Sequence, residues 1–120
     1  MAPRLLYVDD EEALRELVQT HLTLEGYEVS TAGDGHEAID LLTSNTYDLV
    51  LLDLHMPGID GLGVMREMKE RNITPRTIIL SGDSHPEVLD ECARLGAEEF
   101  LSKPYRFHEL MATIDRVLAL

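Results

Sequence analysis

The 120 residues, 44% of them hydrophobic, suffice for one packed core and are too few for two, so a single domain over residues 1–120 is expected. Asp and Glu outnumber Lys and Arg by 23 to 10, and the formal charge of −13 disfavours nucleic-acid backbones and anionic membranes as direct partners. The one cysteine, Cys92, excludes an internal disulfide, and its helical surroundings suggest a small buried apolar side chain.

Taken in chain order, the N-terminal segment meets Asp9 too early for a secretory signal, and no apolar run approaches a membrane span; a cytoplasmic protein is expected. The run 5–8 reads as a buried strand. Leu14, Leu17, Val18 and Leu22 recur at helical spacing and are expected to share one buried face, with Gly26 as a C-terminal stop. Residues 27–31 form a weaker strand, followed by a helix around Ala38, Ile39 and Leu42 that Asp34 would cap. The run 49–52 is the most apolar strand. After it, Asp60 would cap a helix carrying Leu62, Met65 and Met68. A strand at 77–80 precedes a helix that Pro86 opens and Gly96 ends. A short strand at 99–101 and a helix with the stripe Leu110, Met111, Ile114, Val117 and Leu118 complete five β-α repeats. Strands alternating with helices in this way pair in parallel, with right-handed crossovers covering both faces of the sheet.

A parallel sheet delivers every strand's carboxyl end to one edge, where ligands bind. Asp9 and Asp10 follow the first strand, Asp53 the third, Ser81 the fourth and Lys103 the fifth. Three carboxylates at one edge repel one another and favour a hard cation; Mg²⁺ takes one or two carboxylates, keeps waters and accepts substrate phosphate. Lys103 supplies positive charge and Ser81 a hydroxyl, so the set suits a phosphoryl group beside Mg²⁺, with an Asp as the nucleophile.

These residues resemble, in order and at strand ends, the signature of bacterial response-regulator receiver domains: Asp9-Asp10, Asp53, Ser81 and Lys103-Pro104. The loop 56–61 and the stretch 96–104 are also similar to that family. The resemblance spans essentially the whole chain and implies a flavodoxin-like (βα)5 sandwich with strand order 2-1-3-4-5. It implies that Asp53 takes phosphate from a histidine kinase or histidine phosphotransfer protein. Mg²⁺ would be held by Asp10, Asp53 and the backbone carbonyl of His55, with Asp9 acting mostly through water. Ser81 would hydrogen-bond the phosphoryl oxygen and Lys103 would pair with it, while Gly82 keeps the approach open. Phe100 would be a switch aromatic that turns inward, and His55 and Asp83 would flank the phosphate. The Lys103-Pro104 bond would be cis. An added charge of about −1.5 to −2 would reset the surface of the fourth helix, fifth strand and fifth helix. That surface, near Leu89, Phe100 and Arg106, would serve an output partner or a homodimer.

Other readings stand beside these. Asp9 and Asp10 would also cap the first helix, Ser81 would suit a turn, and Phe100 would suit plain core. The pattern Asp53-x-His55-x-x-Gly58 matches a corrinoid-binding module, in which His55 would ligate cobalt, although that reading leaves Asp9, Asp10 and Lys103 without a role. A phosphatase of the haloacid-dehalogenase type would want an Asp where His55 stands. A receiver fold used only for protein contacts would need none of the five site residues.

Overall fold

The computed structural model describes residues 2–82 and 85–120. Five strands, β1 (Arg4–Val8), β2 (Glu28–Ala32), β3 (Leu49–Asp53), β4 (Arg76–Ser81) and β5 (Glu99–Ser102), alternate with five helices. These are α1 (Glu12–Leu24), α2 (Gly35–Ser44), α3 (Gly61–Glu70), α4 (Pro86–Arg94) and α5 (Phe107–Leu118). The strands form one parallel sheet in the order β2-β1-β3-β4-β5, the flavodoxin-like arrangement expected.

The pleat sorts the side chains into two cores, because successive residues point to opposite faces. Leu5, Tyr7, Leu49, Leu51, Ile78 and Leu80 pack with Val18 and Leu22 of α1 and with Leu110, Ile114 and Val117 of α5. Leu6, Val8, Val50, Leu52 and Ile79 face Ala38 and Leu42 of α2, Val64, Met65 and Met68 of α3, and Cys92 of α4. The interior strands β1, β3 and β4 are buried on both faces, which is why they read as unbroken apolar runs.

The structure departs from the sequence reading in small ways. Leu17 is 54% exposed; α1 buries Val18 and Leu22, and one residue of helical rotation carries Leu17 to solvent. Val64, absent from the expected stripe of α3, is fully buried. Tyr27 precedes β2 instead of starting it, and β4 extends to Ser81. Three helices end in a residue at positive φ: Gly26 (98°), Asn72 (56°) and Gly96 (113°). In each case the next amide donates to a carbonyl five residues back, Tyr27 to Leu22, Ile73 to Met68 and Ala97 to Cys92, which closes a Schellman motif. Gly26 and Gly96 were legible from their type; Asn72 was not.

The loop between β3 and α3 is clamped from two sides. A Cβ at Gly61 would lie 2.5 Å from the Asp53 carbonyl oxygen and 2.8 Å from Leu54 Cα. At Gly35 it would lie 2.5 Å from the Ile59 carbonyl oxygen. Both obstacles are backbone, which has no rotamer with which to yield. Gly61→Ala is therefore expected to lower stability by about 2–3 kcal/mol in urea denaturation. Gly82→Ala should stay within about 0.5 kcal/mol, since among the described residues a Cβ there meets only Lys103 Cβ, at 3.9 Å. Equal unfolding midpoints for the two variants would contradict the clamp.

Candidate functional site

The carboxyl ends of β1, β3, β4 and β5 bring the expected residues to one edge of the sheet. Strand parity then separates them. Asp9 continues the row of Leu5 and Tyr7, and Asp53 pairs in register with Leu80, so both lie toward the α1/α5 face. Lys103 follows Leu101 on that same side. Ser81 and Phe100 belong to the opposite row, with Phe100 in register with Ile79.

Lys103 is the centre of the cluster. Its Nζ lies 2.8 Å from Asp9 Oδ2 and 3.0 Å from Asp53 Oδ2, bridging two buried carboxylates. The second oxygen of each carboxylate accepts a backbone amide: Asp9 Oδ1 from Glu11 at 2.9 Å, and Asp53 Oδ1 from His55 at 3.2 Å. The Tyr7 hydroxyl donates to Asp9 Oδ2 at 3.3 Å and is itself hydrogen-bonded to the Tyr105 hydroxyl. Arg15 donates to the Asp9 carbonyl at 2.9 Å and lies across Gly33, where a Cβ would stand 2.9 Å from its Nη1. Asp9, Asp10 and Asp53 present carboxylate oxygens all within 4.8 Å of one another, with Asp10 the exposed member.

Burial drives the Asp53 carboxyl above its ordinary value; Lys103 pulls it back, and the charge of Asp9 pushes it up further. At Lys103, burial disfavours the ammonium, but the bonds and charges of Asp9 and Asp53 outweigh burial and raise its pKa. The two carboxylates thus share one compensating cation, which does not fully offset the burial of Asp53.

The remaining expected residues fall as follows. Ser81 is buried at the end of β4, and its carbonyl accepts the Lys103 amide at 2.9 Å. Gly82 is exposed beside Lys103. His55 is exposed at the start of the clamped loop. Phe100 stands outward, 38% exposed, which sets aside its reading as plain core. The Lys103-Pro104 bond is cis. Asp83 lies outside the described residues. Helix capping is not the whole role of Asp9: one of its oxygens accepts the amide of Glu11, the N-cap of α1, but the other accepts Lys103, and the Glu11 side chain itself makes no cap bond. Sequence reasoning missed Tyr7, Tyr105, Arg15 and Gly61. For Tyr7 a signal existed: it is the one hydroxyl-bearing residue of an otherwise aliphatic buried run, two positions before Asp9.

The sign of the Asp53 effect sets a pH dependence. Its folded pKa exceeds its unfolded one, so ionised Asp53 opposes folding. That penalty is absent below the ordinary carboxylate range, grows as pH rises through it, and is complete above the folded value. Asp53→Asn is expected to raise the melting temperature by roughly 2–5 °C at pH 7, with the gain vanishing toward about pH 4. A thermal scan showing the variant less stable at pH 7 would refute this assignment.

The description "Response regulator receiver domain" belongs to the family model that matches residues 5–115. The probable transcriptional regulator ycf27 of Cyanidium caldarium is 40% identical over 116 residues, covering 95% of this chain and 45% of that protein. The chain therefore spans about half the length of this curated relative. Chemotaxis protein CheY4 of Vibrio cholerae, at 29% identity, superposes with a TM-score of 0.91 over 98% of this chain and 99% of its own. The response regulator TrrA of Thermotoga maritima, solved in complex with Mg²⁺-BeF, is 40% identical with a TM-score of 0.83 over 98% of this chain and 99% of its own. No helix among the described residues is long and apolar enough to cross a membrane. With a family match across nearly its whole length and the same sheet order, the chain belongs to the response regulator receiver domains of two-component signalling.

Proposed function

We propose that this receiver domain is a phosphorylation-dependent switch in which Asp53 accepts a phosphoryl group from a histidine kinase or histidine phosphotransfer protein. The observation that carries this reading is the bridged cluster: a buried carboxylate at the end of the central strand, under-compensated, with an ammonium and two further carboxylates beside it. An Asp53 oxygen attacks phosphorus, the P–N bond to the donor imidazole breaks, and the released nitrogen takes up a proton. Hydrolysis by water returns the carboxylate and inorganic phosphate.

The donor set fits Mg²⁺. Its oxygens are hard ligands within 4.8 Å of one another, and exposed Asp10 faces water. Asp9 is fully buried and already accepts three protein donors, from Glu11, Lys103 and Tyr7, against two at Asp53. This supports a role for Asp9 through water, with Asp10, Asp53 and the His55 carbonyl as direct ligands. When bound, Mg²⁺ neutralises charge on the carboxylates and the phosphoryl oxygens. Ser81 would donate to a phosphoryl oxygen and Lys103 would move from the carboxylates to it. Gly82, whose smallness the fold itself does not require, leaves the phosphate accessible. His55 and Asp83 would flank the phosphate and tune its lifetime. Phe100 would leave its outward position when Ser81 is drawn to the phosphate, resetting the α4-β5-α5 face for an output partner or a second copy. The half-length match to a transcriptional regulator supports an output module as that partner. The family match gives no support to the corrinoid reading of His55.

With acetyl phosphate and Mg²⁺, intact mass spectrometry is expected to show one added phosphoryl group on the wild type and none on Asp53→Asn; equal labelling of both defeats the reading. Lys103→Ala leaves two buried carboxylates without their shared cation and should lose about 2–3 kcal/mol without Mg²⁺. It should also abolish the phosphorylation-dependent NMR shift at Phe100, and an intact shift would remove Lys103 from the coupling.

A further inference from the structure

The Tyr7–Tyr105 hydroxyl pair is unusual in its placement. Tyr7 is fully buried among aliphatic side chains, and its ring would pack equally well as Phe. Its hydroxyl nevertheless lies under Asp9, and its partner Tyr105 sits two residues beyond Lys103 on the loop that leads into α5. The direction of the chain follows from proton counting. A hydroxyl has one proton, and the Asp9 carboxylate only accepts. Tyr7 therefore donates to Asp9 Oδ2, and Tyr105 donates to Tyr7. A hydroxyl that accepts one bond is polarised as a donor for the next. Burial pushes both hydroxyls well above the usual tyrosine range, so both keep their protons.

Asp9 Oδ2 is thus served twice, closely by Lys103 at 2.8 Å and more loosely by Tyr7 at 3.3 Å. Asp9 has no exposed surface. Were Lys103 its only side-chain donor, removing the ammonium would leave that buried oxygen unsatisfied, a penalty large for a charged group. We infer that the Tyr105–Tyr7 chain is a positioning device for Lys103: it keeps Asp9 hydrogen-bonded when the ammonium leaves, and so lowers the barrier to its release. Because Tyr105 and Lys103 share a short segment, the chain also ties that segment to the top of β1. The effect on phosphorylation rests on the phosphoryl-transfer reading above; the eased release of Lys103 from Asp9 does not.

The test uses Tyr7→Phe, Tyr105→Phe and the double variant, which keep ring volume and remove only hydroxyls. In protein free of Mg²⁺ and phosphate, exchange of the Lys103 ammonium protons with water, read by NMR, should slow several-fold in each variant. Phosphorylation by acetyl phosphate with Mg²⁺ should slow by roughly tenfold, the factor for one charge-assisted hydrogen bond of modest strength. The double variant should match Tyr7→Phe, because Tyr105 acts only through Tyr7. A merely structural pair would shift the melting temperature and leave Lys103 exchange and the double-variant pattern unaffected; that result overturns the inference. If the wild type takes no phosphate while Lys103 exchange slows in the variants, the easing of Lys103 release stands and the proposed function falls.

Discussion

One ammonium shared between two buried carboxylates organises this molecule. Asp9 and Asp53 stand at the ends of adjacent central strands, on the same face, within reach of each other's charge. Water cannot screen them there, and two ionised carboxylates so close would oppose folding. Lys103 reduces that opposition but does not remove it: burial, with the charge of Asp9 added, still holds the Asp53 carboxyl above its ordinary value. The site therefore holds a residual demand for positive charge. Under the proposed function a divalent cation would answer it, and a phosphoryl group that drew the ammonium away from the carboxylates would renew it. Binding, reaction and response would then draw on the same electrostatic imbalance.

The scaffold around this imbalance is rigid where position matters. β1, β3 and β4 are buried on both faces, so the carboxyl ends of the strands cannot drift without opening a core. Gly61 lets α3 begin directly against the Asp53 carbonyl, and Gly35 lets α2 press on the Ile59 carbonyl, closing the loop that starts at His55. By contrast the β5 side is lightly held. β5 is an edge strand with alternating half-buried and exposed residues, and Phe100 stands partly in solvent. Parity divides the labour: Asp9, Asp53 and Lys103 on the α1/α5 side, Ser81 and Phe100 on the α4 side. Under the proposed function a phosphoryl group at the sheet edge would contact both.

The strand-end residues were legible because a parallel sheet turns sequence order into spatial convergence. Every apolar run ends at the same edge, so the polar residues that follow must meet. Helix ends at Gly26 and Gly96 and the caps Asp34 and Asp60 were legible from residue type alone. Leu17 misled because a three-residue spacing fits two neighbouring faces of a helix, and only packing chooses between them. Asn72 was silent because asparagine takes positive φ only where a helix end demands it.

By itself, then, the sequence determined the five alternating elements and the one sheet edge at which Asp9, Asp10, Asp53, Ser81 and Lys103 meet. These follow from local periodicity and from the common direction of parallel strands. Tertiary structure alone decided that Lys103 bridges Asp9 and Asp53, that Tyr105 reaches Tyr7 across 98 positions of chain, and that Gly61 admits a helix against the Asp53 carbonyl. Those are contacts between strands and loops remote in sequence. Their distances depend on how two cores pack against one sheet, which no local pattern encodes.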